Sequence, residues 1–154
     1  MLRIHTILFP TDFSENSLPA RILAVEFAEK FDAKLLILHV VNSSRLGYPA
    51  FEVGVPFDLQ AVLKSIEDSV QSNFADIQAE CGKTVKEVQT ASRIGVPSNE
   101  IVKLADEEGA DLIVMGTHGW TGFKHLILGS TAENVVRNAG CPVLTVRAAS
   151  QEIS

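Results

Sequence analysis

The sequence predicts an α/β fold: an open, doubly wound, five-stranded parallel sheet of order 3-2-1-4-5 with helices on both faces. Three observations predict it. Short runs rich in Val, Ile and Leu alternate with segments of helical periodicity, in the order β-α-β-α-β-α-β-α-β. Several of those runs, Ile7-Leu8-Phe9 and Leu112-Ile113-Val114 among them, are continuously apolar rather than alternating, which marks strands buried on both faces. Right-handed crossovers then lay the intervening helices on the two sides of one Rossmann-like sheet.

The first strand spans Ile4 to Pro10. The first helix is marked by Ala20, Leu23, Ala24, Phe27, Ala28 and Phe31 recurring on one face, with Glu26, Glu29 and Lys30 pointing away. Ser17, ahead of Leu18-Pro19, is its N-cap candidate, and Ser14 offers an earlier start. The second strand runs from Lys34 to Val41. From Asn42 to Phe57 the chain mixes Gly47, Pro49, Gly54 and Pro56 with Tyr48, Phe51 and Phe57, too broken for a helix and too apolar for a plain linker. It reads as a loop folded over the sheet edge or a partner surface. The second and longest helix carries Leu59, Val62, Leu63, Ile66, Val70, Phe74 and Ile77 on one stripe and ends near Cys81-Gly82, where glycine suits a left-handed cap. A third strand covers Val85 to Ala91. The third helix follows Gly95-Val96-Pro97-Ser98, buries Ile101, Leu104 and Ala105, and stops at Gly109. The fourth strand spans Asp111 to Gly116, and the fourth helix runs from about Ser130 to Ala139. Gly140 ends that helix, and Pro142 to Val146 form the fifth strand.

At 154 residues the chain fits one domain over 1–148, with a tail at 149–154. A composition of 46% hydrophobic and 21% charged residues belongs to ordinary globular proteins. The net charge of -6 and the lack of any Lys/Arg cluster argue against nucleic acid as a partner. No stretch approaches the ~18 apolar residues of a membrane helix, so the expected location is the cytoplasm, without membrane insertion. Cys81 and Cys141 have no C-x-x-C spacing and read as idle or buried thiols.

The most informative motif is Met115-Gly116-Thr117-His118-Gly119, followed after nine residues by Gly129-Ser130-Thr131. A strand ending in closely spaced glycines, then a helix opened by Gly-Ser, supplies unpaired backbone N–H groups and a positive helix end, the chemistry of a phosphate cradle. Because the chain is acidic, a polyphosphate must be held by local dipoles and gains from a bound divalent cation. Open sheets bind ligands where the strand order reverses, so Pro10-Thr11-Asp12 after the first strand should meet the cradle. Each feature also has a structural reading. Ser130 and Glu133 stand three apart as in a capping box. Gly119 could shape a turn, Gly129 could be a hinge and Asp12 could cap the loop. His118 and Lys124 could donate to phosphate or simply be solvated, whereas His39 reads as a hydrogen-bonded core residue. Trp120, Phe123, Leu126, Ile127 and Leu128 make the motif loop apolar, fit to pack under the fourth helix or to mediate association.

Taken together, Gly116-x-x-Gly119-x9-Gly129-Ser130 resembles the nucleotide-binding motif of the universal stress protein family, in its ATP-binding branch. Ile7-Leu8-Phe9-Pro10-Thr11-Asp12-Phe13-Ser14, Leu38-His39-Val40-Val41, Gly95-Val96-Pro97, Asp111 to Gly116 and Cys141-Pro142-Val143 resemble further family landmarks, in the family's order. The branch lacking ATP departs from the glycine pattern, which is complete here. The resemblance implies that Gly116 and Gly119 let the backbone approach ribose and phosphates, and that Gly129 and Ser130, with Thr131 beside them, hold the outer phosphates. It implies backbone contacts from Val40 to adenine, packing of Met115 on the nucleoside, and Asp12, beside Pro10 and Thr11, near the ribose and the metal-bearing phosphates. The implied cofactor is ATP with Mg²⁺ or Mn²⁺ bound through the phosphates. The implied function is a nucleotide-sensing regulatory module of the stress response, read by an unidentified partner protein. A slow ATP-hydrolysing or nucleotidyl-transferring enzyme is the alternative; the chain lacks G-x-x-x-x-G-K-[ST] and Ser-Gly-Gly-x-Asp-Ser, and only Asp12 and His118 are candidates for a base. In a third reading the glycines are structural and the protein is a ligand-free oligomer. The Val-Leu-Thr-Val edge of the fifth strand, through which family members dimerise, implies a homodimer.

Overall fold

Burial on both faces explains the continuous apolar run of the first strand, since Ile7, Leu8 and Phe9 have no exposed surface. A computed structural model describes residues 2–46, 56, 58–118 and 128–148. Its elements are β1 (Thr6–Pro10), α1 (Leu18–Phe31), β2 (Lys34–Asn42), α2 (Leu59–Cys81), β3 (Val88–Gly95), α3 (Pro97–Glu108), β4 (Leu112–Gly116), α4 (Ser130–Asn138) and β5 (Val143–Val146), with short 3-10 turns after β1 and β2. The strands are parallel and ordered β3-β2-β1-β4-β5, as the sequence predicts. The loop residues 47–55 and 57, the motif residues 119–127 and the tail 149–154 lie outside the described residues.

Alternate residues of each strand divide the core in two. Ile7, Phe9, Leu35, Ile37 and Val114 face α1 and α2, meeting Ala20, Ala24 and Ala28 of the first and Val70, Phe74 and Ile77 of the second. Leu8, Leu36, Leu38, Ile113 and Met115 face the other way, against Ile101, Leu104 and Ala105 of α3 and Ala132 and Val135 of α4. On β5, Leu144 and Val146 pack with the first layer and Val143 with the second. Small residues at Ala20, Ala24 and Ala28 let α1 lie close to the sheet.

The boundaries differ from expectation where polar groups intervene. The Asp111 carboxylate accepts from the amides of His5 (2.8 Å) and Thr6 (3.0 Å), so β1 begins at Thr6 and β4 at Leu112. The third strand lies further along than Val85 to Ala91. Val85 is buried in the turn that closes α2, its amide donating to the Cys81 carbonyl at 3.0 Å. β3 is an edge strand that stays paired with β2 up to Asn42↔Gly95, and its polar Ser92 and Arg93 hide that half from an apolar-run reading. Arg93 reaches Glu107 at 2.6 Å and Glu100 at 3.8 Å on α3, pairs that solvent keeps weak.

Gly82 is not in the left-handed conformation; it stays right-handed (φ -68°), and a Cβ there would stand 2.9 Å from the Gln78 carbonyl oxygen. Left-handed caps do end α1 at Asp32 (φ 54°) and α3 at Gly109 (φ 60°). Burial pushes the Cys81 thiol above its ordinary range, and burial aided by Asp106 and Asp111 does the same for the half-buried Cys141. Among the described residues no helix is long and apolar enough to cross a membrane.

Candidate functional site

β1 and β4 are neighbours, yet the chain leaves β1 for α1 on one face and β4 for α4 on the other. Their carboxyl ends therefore part at the switch point of the sheet. Pro10, Thr11 and Asp12 stand on one side of this opening; Met115, Gly116, His118, Gly129, Ser130 and Thr131 stand on the other. The two sides touch. The spot where a Gly116 Cβ would point lies 3.4 Å from the Asn16 carbonyl oxygen and 3.9 Å from the Ser17 Cα.

The loop after β1 is held by its own polar side chains. The Thr11 amide continues the ladder to the Leu38 carbonyl at 2.8 Å. The Thr11 hydroxyl oxygen accepts from the Phe13 amide (3.0 Å) and pairs with the Ser17 hydroxyl (3.0 Å), which donates to the Ser14 carbonyl (2.8 Å). Ser17 is thus the residue ahead of α1, but its hydroxyl turns back into the loop and makes no cap bond. Asp12 Oδ1 accepts from the Ser14 amide at 2.9 Å and the Ser14 hydroxyl at 2.5 Å, the local turn that Asp favours. Between them Phe13 sits at φ 62°, a conformation that is costly for a bulky residue and is held by its surroundings. Its ring stacks on His39 at 4.4 Å and meets Phe74 edge-on at 5.5 Å.

The exit of β4 and the start of α4 are joined through the backbone of Thr117. Its amide donates to the Val146 carbonyl at 3.2 Å, and its carbonyl accepts from the Gly129 amide at 2.7 Å. A Cβ on Gly129 would stand 2.7 Å from that same carbonyl oxygen, so the fold itself demands glycine there. Gly129, not Ser130, is the N-cap of α4, and as a glycine it has no side chain to cap the helix. The expected capping box does not form. Glu133 instead pairs with Arg137 at 2.8 Å, one turn on. The first helical bond runs from the Glu133 amide to the Gly129 carbonyl at 2.9 Å, which leaves the amides of Ser130, Thr131 and Ala132 without intrahelical acceptors at the positive end of the helix. Beside them, His118 Nδ1 pairs with the Thr117 hydroxyl at 2.9 Å. His118 Nε2 is the one buried side-chain polar atom among the described residues with no hydrogen-bond partner. Leaving such an atom unsatisfied costs about 1–3 kcal/mol, which a ligand would recover.

Val40 belongs to β2, beyond the end of β1. Lys34 donates to His5 on the β1 side and Leu35 to Glu87 on the β3 side. By that alternation the amide and carbonyl of Val40 point to the β1 side, past Pro10↔Leu38, the last pair of the β1 ladder. Met115 is buried in the core layer shared with α3 and α4. Gly119 and Lys124 lie outside the described residues, as do Trp120, Phe123, Leu126 and Ile127.

The sequence model of the universal stress protein family matches residues 3–147. The chain belongs to the universal stress protein family. It is similar to universal stress protein MJ0531 of Methanocaldococcus jannaschii, 36% identical over 148 residues that cover 95% of this chain and 84% of that protein. Among solved structures it is similar to universal stress protein UspA from Lactobacillus plantarum, with a TM-score of 0.81 and 28% identity, covering 94% of this chain and 99% of that one. It is also similar to a universal stress protein crystallised in complex with cAMP, with a TM-score of 0.62 and 26% identity, covering 96% of this chain and 99% of that one. In this universal stress protein sequence reasoning passed over Phe13 and Thr117, and gave Ser14 and Ser17 only a capping role. Ordinary Ser and Thr side chains give no signal of their own, and a left-handed Phe has none at all in sequence. Phe13, Ser14 and Thr117 at least stand inside the quoted segments, whereas Ser17 lies outside them.

Proposed function

We propose that this universal stress protein belongs to the ATP-binding branch and works as a nucleotide-sensing regulatory module. The observation that carries the reading is the pairing of an α4 N-terminus whose N-cap is a glycine with the orphaned His118 Nε2 at the switch point. Those donors fit a phosphate chain: the amides of Ser130 and Thr131 and the helix end meet the outer oxygens, with His118 a further donor. Val40 offers its backbone to the adenine edge, and Asp12 lies where a ribose hydroxyl would be accepted. Gly116 lets the backbone approach the phosphates, and the family resemblance gives Gly119 the same part. The similar protein solved with cAMP supports this class of ligand, because cAMP shares adenine, ribose and phosphate with ATP.

A divalent ion, Mg²⁺ or Mn²⁺, would ride on the phosphates and offset the charge of -6 that otherwise repels them. In this reading the phosphates supply the ligands of the ion. Binding to the native form alone stabilises it by RT ln(1 + [L]/Kd), which makes nucleotide level a signal without chemistry. Asp12, one of the two candidate bases, already has Oδ1 engaged by Ser14, and this favours a binder over the slow hydrolase. The reading places the protein in the cytoplasm as a homodimer joined through the β5 edge, with a partner protein sensing the loaded state.

Mass spectrometry of the small molecule released on denaturing the purified protein tests the reading. An adenine nucleotide at near one equivalent is expected. A protein that carries none, and retains none after incubation with Mg²⁺ and ATP, would rule the reading out.

A further inference from the structure

We propose that His39 is a positioning residue for Asp12, gripping the residues on both sides of it. Its Nδ1 lies 2.8 Å from the Thr11 carbonyl oxygen. A carbonyl can only accept, so Nδ1 carries the proton and donates. The same imidazole stacks on the Phe13 ring, with centroids 4.4 Å apart and planes 25° from parallel. One side chain on β2 therefore fixes Thr11 by a hydrogen bond and Phe13 by its face, and Asp12 is the residue between them.

The grip has a visible consequence in the backbone. Phe13 sits at φ 62°, a left-handed conformation that an aromatic residue does not keep unaided. Holding it reverses the chain just past Asp12, so that the Ser14 amide and hydroxyl fold back onto Asp12 Oδ1. β2 makes a rigid base for this, because Leu38, the neighbour of His39, is fully buried and His39 itself is paired in register with Ser92 of β3. The landmark Leu38-His39-Val40-Val41 thereby serves the site twice: Val40 offers its backbone, and His39 sets the aim of a carboxylate on another strand's loop.

The inference rests on the reading of Asp12 as acceptor for a ribose hydroxyl, and its test separates the two. His39→Phe keeps a ring for the stack and removes the donor; His39→Asn keeps an N–H near the Nδ1 position and removes the ring. Affinity is measured for ATP and for 2′,3′-dideoxy-ATP, with amide exchange at Phe13 and Ser14 followed in parallel. In His39→Phe, ATP should bind about tenfold more weakly, the dideoxy analogue should change less than about twofold, and the Phe13 and Ser14 amides should exchange faster than in wild type. His39→Asn should recover part of the loss. On an Asp12→Ala background, His39→Phe should add almost nothing, as expected of a residue acting through Asp12. Equal losses for both nucleotides, or full additivity with Asp12→Ala, would overturn the proposal by making His39 a general support of the fold. If wild type binds neither nucleotide, the functional reading falls, and the exchange rates alone decide: faster exchange confined to Phe13 and Ser14 upholds the grip, and unchanged rates refute it.

Discussion

Gly129→Val is expected to abolish nucleotide binding and to destabilise the protein by about 2–4 kcal/mol. The first Cβ atom alone would stand 2.7 Å from the Thr117 carbonyl oxygen, which already accepts the Gly129 amide at 2.7 Å. Neither backbone segment is a flexible side-chain end that can swing aside. The added methyls must push the start of α4 off the exit of β4, breaking that bond and parting the Ser130 and Thr131 amides from His118. Gly140→Ala is the matched control. Its Cβ would meet only the tip of the Asp106 side chain at 3.3 Å, so the expected change is within about 0.5 kcal/mol. Urea denaturation of the two variants, with ATP affinity measured on each, checks both halves. Wild-type stability in Gly129→Val would mean that the Thr117–Gly129 junction is looser than its geometry implies.

Phe74→Ala should cost about 3–5 kcal/mol and also weaken ATP binding, although Phe74 lies on a helix and touches no part of the proposed ligand. The side chain is 2% exposed and is among the largest wholly enclosed groups in the protein. Its loss leaves a cavity between α2 and the sheet. It also removes the edge contact, 5.5 Å between centroids, that Phe13 makes in addition to its stack on His39. A left-handed Phe13 with one support gone should relax, and Asp12 with it. Ile77→Ala separates the two effects. Ile77 packs in the same layer about one turn further along α2, and it too should cost about 2–5 kcal/mol, but it makes neither of the ring contacts of Phe13 and should leave ATP affinity unchanged in the folded protein. Thermal melts followed by titrations well below each melting temperature make the comparison. Equal affinity losses in both variants would mean that binding follows overall stability and not the Phe13 loop.

The fold was legible because strand burial writes itself as composition. Ile7-Leu8-Phe9, Leu35-Leu36-Ile37-Leu38 and Leu112-Ile113-Val114 occupy both faces of the sheet, and only apolar residues survive there. The third strand was misplaced by a few residues for the same reason in reverse. As an edge strand it is half covered, and Ser92 and Arg93 carry no apolar signal. Cap chemistry was partly legible: Gly109 takes the left-handed cap, whereas Gly82 is glycine because of a close carbonyl and not because of its φ. A sequence does not distinguish those two demands, since both exclude a Cβ. The same ambiguity holds at Gly129, where packing against Thr117 suffices to explain the glycine; Ser130 lies inside the helix, and its expected capping box does not form. What could not be seen in sequence was the wiring across elements. His39 to Thr11 spans β2 and the β1 loop, and Thr117 ties β4 to both β5 and α4. Such contacts depend on strand register, which spacing along a single chain does not encode.

The most direct test is isothermal titration of the purified protein, stripped of bound ligand, with ATP in the presence of Mg²⁺. A grip made of main-chain amides at the head of α4 predicts saturable heat with one site per chain, and loss of that heat in Gly129→Val. Flat titrations for every purine triphosphate tried, from a protein that is folded by its melting curve, would contradict it.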